Sequence, residues 1–260
     1  MTTEIDIAHA RMEEDPENDQ ARLQFYERLA DSELFLLLAE EATGETLKPE
    51  VFPVEDQSFV LVFDRPDRLA EFVGKPAPYA AMSGRALAGM VAGQGIGLGL
   101  NLEVAPSAML LPAEAVDWLV SVLGAGPQTA EARPVEILPP ARLPDTVIAG
   151  LDRKLATTGG LARFAWLARV VYDTGIRADV LAFVDAVPGA EQALAAAIGE
   201  ALTFSGVEAG MLDVIFLQSS DPIAAQFAKV GFRFDLPAPV ARSDGPKPPG
   251  MDPNSPPKLR

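Results

Sequence analysis

The chain has 260 residues, 48% of them hydrophobic, which suits two modest domains with a core each and lies far from the composition of a wholly disordered protein. It holds no cysteine and one histidine, so disulfides, thiolate zinc sites, iron–sulfur clusters and cysteine nucleophiles are excluded, and imidazole metal sites lack their usual second ligand. The formal net charge of −16 opposes binding to nucleic-acid phosphates and to anionic membranes; thirteen acidic against three basic side chains fall within residues 1–45.

Residues 1–16 are polar and without periodicity, which predicts a flexible acidic N-terminus. From Glu17 the pattern turns helical, with Leu23, Tyr26, Leu29 and Ala30 on one face. Leu34 to Ala39 reads as a buried strand, followed by a turn at Thr43-Gly44-Glu45. Val51-Phe-Pro-Val54 and Phe59-Val-Leu-Val-Phe63 flank a polar turn and predict a hairpin. Pro66 suits the first turn of a short helix carrying Leu69, Phe72 and Val73. A strand over 77–82 precedes a second short helix that Ser83 can cap. Strands over 95–102 and 108–111 lead to a helix opened by Pro112, with Val116, Leu119, Val120 and Leu123 as its apolar stripe.

Residues 124–142 are rich in glycine and proline and read as a linker. Beyond them come a helix through Val147, Leu151 and Leu155, strands over 163–172 and 179–187, and an alanine-rich helix over 190–202. A strand over 211–217, a helix over 222–230 and an edge strand over 232–234 follow. From Pro237 the chain is proline-rich and has no aromatic residue, which predicts a disordered tail. The fold class expected is α/β (α+β): two small domains, 17–123 and 143–236, each with a mixed β-sheet packed by helices, plus disordered termini at 1–16 and 237–260. The opening residues carry acid where a secretion signal carries Lys or Arg, and no stretch approaches the length of a membrane span; a soluble, cytoplasmic protein is expected.

The residues permit little side-chain catalysis. His9 lies outside both expected cores and reads as a solvated terminal residue. The glycines of Gly93-Gln-Gly-Ile-Gly-Leu-Gly99 follow a helix and alternate with apolar residues. That is the pattern of a strand with one smooth, closely packed face, and not of a phosphate-binding turn. The acidic run from Glu13 to Asp19 lacks the spacing of a calcium loop and reads as a solvated segment. Ser83, Ser205 and Ser219 read as cap or turn residues. Asp173, Asp179, Asp185 and Asp213 sit at or within predicted strands, where a shared cleft would allow acid–base work or magnesium binding and ordinary solvation at strand edges would not.

The segments Arg22-Leu-Gln-Phe-Tyr-Glu-Arg-Leu29, Ser32 to Leu38, Phe59 to Phe63 with Leu69, Tyr79 to Gly84, and Gly95-Ile-Gly-Leu-Gly-Leu-Asn101 occur in an order and spacing that resemble the SseB family, the enhanced serine sensitivity proteins. The resemblance covers residues 17–123, and 143 onward is similar, more loosely, to the C-terminal domain of longer members. It implies a bacterial cytoplasmic protein with no assigned catalytic residues and a family phenotype connected with serine sensitivity. The chain departs from the family at Asp64-Arg65-Pro66 and in its proline-rich tail. The function expected is a non-enzymatic binding or regulatory protein acting through protein–protein contacts, with an unknown protein partner and no cofactor, metal, nucleic acid or membrane. The alternatives are a sensor of an amino acid or another small metabolite and a carboxylate enzyme using magnesium. Asp64, Tyr79 and Asn101 are the candidate ligand or partner residues.

Overall fold

The computed structural model describes residues 1–42, 47–124, 133–207 and 212–238. The turn at 43–45, residues 125–132 of the expected linker and the tail from 239 lie outside the described residues. Two sheets organise the chain, and helices cover them as the patterning of the two halves predicts.

The first sheet has the order β4-β1-β3-β5-β6, where β1 is Glu33–Leu37, β3 is Gln57–Phe63, β4 is Tyr79–Ser83, β5 is Ile96–Leu100 and β6 is Met109–Leu111. β2 (Val51–Val54) pairs antiparallel with the start of β3, completing the predicted hairpin. β3 and β5 run parallel, so the chain between them must cross over; it does so through α3 (Pro66–Val73), β4 and α4 (Gly84–Val91). Leu34, Leu36, Val60, Val62, Leu98 and Leu100 point to one face. They pack there against α2 (Asp19–Asp31), α4 and α5 (Ala113–Leu123). Leu37, Leu61 and Phe63 alternate to the other face, under Leu69 of α3. With both faces of its middle covered, β3 is buried from Phe59 to Phe63.

Glycine is required at two close approaches. A Cβ on Gly97 would fall 2.3 Å from the Leu111 carbonyl oxygen and 2.7 Å from the Phe59 ring, which is the smooth strand face expected of the glycine cluster. A Cβ on Gly84 would fall 1.8 Å from the Leu29 carbonyl oxygen, and its absence lets α4 start against the end of α2. Ser83 caps α4 as expected, its hydroxyl accepting from Ala86 N–H.

The second sheet has the order β10-β9-β8-β11, with β8 at Phe164–Tyr172, β9 at Arg177–Val184, β10 at Leu212–Leu217 and β11 at Phe232–Asp235. β8 and β9 are antiparallel neighbours joined by a turn with Gly175 at φ 81°, and β10 returns parallel to β9 after α7 (Glu191–Phe204). The other edge of β8 is shared end to end. β11 pairs with residues 164–167, and β7 (Pro134–Leu138) pairs with residues 169–172. α6 (Asp145–Thr157) and α7 cover one face through Leu151, Leu155, Leu194 and Ile198. α8 (Pro222–Val230) covers the other through Phe227.

Two expectations need correction. Residues 1–16 are no flexible segment: Glu4–Glu14 form helix α1, and its Ile5, Ala8 and Met12 are buried in the first core. A capping box starts it, with Thr3 Oγ1 accepting from Asp6 N–H and the Asp6 carboxylate accepting from Thr3 N–H. The apolar positions 5, 8 and 12 do follow helical spacing, but they are few and the surrounding acid obscures them. The stretch 124–142, read as a linker, contributes β7 to the second sheet; Pro134 stands at its start, and a register shift lies between Pro134 and Glu136.

The two halves share a joint. Phe204, the last residue of α7, is 1% exposed and belongs to the core formed with the first sheet, although its helix covers the second.

Candidate functional site

The structure brings Asp64 and Asn101 together. Asp64 follows β3, and Asn101 follows β5 at the same end of the sheet with φ 49°, a conformation that asparagine tolerates better than most residues. Asn101 is fully buried; its side-chain oxygen accepts from Asp64 N–H at 3.1 Å, and its amide donates to Ser107 Oγ at 2.9 Å. Ser107 donates to Asp6 of α1 at 2.6 Å. Arg68 of α3 ties the group together, with Nη2 to Asp6 at 2.5 Å and Nη1 to Asp64 at 2.7 Å, while Thr3 Oγ1 donates to Asp64 at 2.5 Å. Burial works against ionisation of Asp6, but the hydrogen bonds from Arg68, Ser107 and the Thr3 backbone outweigh it and hold the carboxyl well below the usual range. This is a closed network that fastens α1 and α3 to the ends of two strands.

Tyr79 lies apart from that network. It starts β4, on the far side of β1 from β3, is 50% exposed, and packs edge-on against Phe35. His9 is the other displaced residue: it is 8% exposed within α1 and its ring meets Phe25 edge-on, so the expectation of a solvated terminal residue is corrected.

The four C-terminal aspartates do not converge. Asp179 pairs with Arg169 at 2.7 Å and accepts from Ala141 N–H. Asp213 accepts from the Tyr172 hydroxyl at 3.0 Å, and burial together with this carboxylate pushes the phenol up to about 12. Because Leu212, not Asp213, stands opposite Asp179, strand alternation sends the two carboxylates to opposite faces of the sheet. Asp185 accepts from Ser219 N–H at the end of β9, and Asp173 is exposed beyond β8. Among the described residues no group of three or more acidic or histidine side chains is placed to hold a metal ion.

A second cluster of charge, part buried and part exposed, lies at the joint of the two halves. Lys154 of α6, 4% exposed, reaches Asp31 of α2 at 2.8 Å and Glu200 of α7 at 2.9 Å. Arg85 of α4 grips Glu200 with both terminal nitrogens at 3.1 Å and also meets Asp31 at 2.5 Å. Burial opposes the charge on Asp31, but the hydrogen bonds and proximity of Lys154 and then Arg85 outweigh it and hold its carboxyl below the ordinary range; the Glu200 and Asp31 carboxylates raise the Arg85 guanidinium. Beside this group Arg153 reaches the buried Glu27 at 3.3 Å, while its Nε is buried without a partner among the described residues. A cavity of about 180 Å³ opens here, lined by both signs of charge, among them Glu27, Arg28, Asp31, Arg153 and Lys154.

Residues 7–118 match the family model described as the SseB protein N-terminal domain. Over that stretch the chain is similar to an SseB N-terminal domain. No curated protein and no solved structure matches the chain at a significant level. The matched stretch begins inside α1, so the helix corrected above falls largely within it.

The SseB-like domain thus contributes Glu27, Asp31 and Arg85 to the joint, and the following half contributes Arg153, Lys154 and Glu200. None of these stands out in the sequence. Lys154 and Glu200 sit beside apolar stripes of ordinary amphipathic helices, and only the docking of the helices shows that they are covered. In the first network Asp64 and Arg68 do carry a local signal, an acid and a base four apart across a helix start. Replacement of Asn101 by alanine leaves Asp64 N–H and Ser107 without their partner and places alanine at positive φ. We expect a loss of about 1–3 kcal/mol in denaturant unfolding, the signature of a structural residue.

Proposed function

We propose that the protein binds and regulates a protein partner and performs no reaction of its own. What supports this reading is the commitment of its interior charge. The buried carboxylates Asp6, Glu27, Asp179 and Glu200 are each held by arginine or lysine, which leaves them poorly suited to serve as a free acid or base. Large apolar side chains stand at the surface instead: Trp118 on the SseB-like domain, Ile176 and Phe232 on the following half. Aromatic side chains of this kind anchor protein interfaces. Crosslinking capture from native cytosol tests the reading, with the full chain beside Trp118→Ala and Phe232→Ala variants. The expected result is a stoichiometric partner whose capture falls with one substitution while the melting temperature stays unchanged. Background proteins alone with every variant contradict it.

A second reading, a sensor of a small metabolite, draws on the mixed-charge cavity at the joint and on the unpartnered Arg153 Nε. A panel of small carboxylates and zwitterions then raises the melting temperature, by linkage worth about 2.7 kcal/mol at a hundredfold excess over Kd, and Arg153→Leu abolishes the rise. No response from any of the panel removes this reading.

A further inference from the structure

Sheet edges expose unpaired N–H and C=O groups, and proteins blunt them with proline, charge, bulges or brevity. The edges here carry such devices, with one exception. β2 contains Pro53, and β6 is three residues long. β7 has Pro134 and a register shift, β10 has Asp213, and β11 carries Arg233 and Asp235. β4, at the end of the first sheet, has none of them. Its five residues Tyr-Ala-Ala-Met-Ser hold no charge and no proline, and they pair with β1 in unbroken register.

The direction of its free groups follows from the flanking bonds. Leu38 N–H donates to the Pro78 carbonyl, and Gly84 N–H donates to the Ser32 carbonyl. In an antiparallel pair hydrogen-bonded and non-bonded positions alternate, so Ala80 and Met82 bond to β1 while Tyr79, Ala81 and Ser83 aim their backbone groups outward. The edge is therefore a straight row of backbone groups with small side chains between Tyr79 and Met82.

We propose that β4 pairs antiparallel with β4 of a second copy about a two-fold axis through Ala81, joining the two first sheets into one. The occupant is argued from self-complementarity, since a two-fold interface must match itself. In this register Ala81 faces Ala81, Tyr79 faces Ser83 of the second copy, and Ala80 faces its Met82. Off the axis each large side chain therefore meets a small one, on both faces of the sheet. The two Ala81 residues exchange both backbone bonds, and Ser83 N–H faces the Tyr79 carbonyl of the other copy. Tyr79, 50% exposed and braced by Phe35, covers the outer side of the seam. Such a dimer is independent of any protein partner bound elsewhere on the chain.

Sedimentation equilibrium of the full chain over a range of concentrations tests it. The expected mass is twice 27.6 kDa for the native sequence and 27.6 kDa for Ala81→Pro. That proline removes only an outward N–H, so β4 keeps its bonds to β1. Ala81→Lys and Ala81→Glu each stay monomeric alone, because like charges meet on the axis, and they dimerise when mixed. The mixture keeps the test decisive should the proline variant fail to fold. A native chain that stays monomeric throughout, or dimers that survive both Ala81→Pro and Ala81→Lys, overturn the proposal; in the first case a strand from a different protein becomes the occupant to seek.

Discussion

Phe204→Ala is expected to cost about 3–5 kcal/mol and to split the unfolding of the chain into two transitions. Phe204 is fully buried, and its side chain lies in the core of the first sheet although α7 packs on the second. Truncation removes the transfer energy of the ring and leaves a cavity where α7 enters the first core. The ion pairs of Lys154 and Arg85 remain, but part of their cost of desolvation has to be met by the same docking, so they cannot replace the lost packing. The two tryptophans make the measurement direct, because Trp118 lies on α5 and Trp166 on β8. With one or the other replaced by phenylalanine, fluorescence reports each half separately. Coincident denaturant curves are expected in the parent chain, and separated curves in Phe204→Ala. Coincident, unshifted curves in the variant contradict the bridging role.

Arg68→Met is expected to be as damaging, about 3–5 kcal/mol, because it leaves the Asp6 and Asp64 carboxylates buried without a counter-charge. The loss depends on pH in a defined direction. Burial alone would raise the Asp6 carboxyl; the hydrogen bonds from Arg68, Ser107 and Thr3 reverse that, so the folded value lies below the unfolded value of about 4. A depressed carboxyl contributes its full stability above the unfolded value and loses it as pH falls toward the folded one. The parent chain therefore weakens as pH drops below about 4. In Arg68→Met the Asp6 carboxylate loses the bonds that hold it ionised, so the gap between variant and parent narrows over the same range. Urea unfolding at neutral pH and at two acidic values measures this; a gap that widens in acid contradicts the assigned pairing.

Much of the architecture is legible in the sequence because strands and helices here keep their periods. The run Phe59 to Phe63 is apolar at each position and becomes a strand covered on both faces; Ser83 and Pro66 mark helix starts that the structure keeps. Helix α1 was hidden because Ile5, Ala8 and Met12 are only three, and Glu13 and Glu14 at its end run on into an acidic stretch. β7 was hidden because Pro134 and the neighbouring glycines read as linker, while its pairing partner lies more than thirty residues onward. The site was less legible than the fold. Asp64 and Asn101 do meet, but their convergence depends on α1, and it makes them parts of a closed network. The charges at the joint depend on how α2, α4, α6 and α7 dock, a relation that local spacing does not carry. Among the described residues no helix is long and apolar enough to cross a membrane, in keeping with helices that bury one face only.

Native-state hydrogen exchange of the parent chain tests most directly whether the two halves form one cooperative body. Backbone amides at the centre of the first sheet, such as Val62, and at the centre of the second, such as Leu181, lie in separate cores joined through α7 and the buried ion pairs. The slowest amides of both sheets are expected to open with the same free energy, equal to that of global unfolding. Opening of the second sheet at a clearly lower free energy, with the first still protected, would contradict a single body held at the joint.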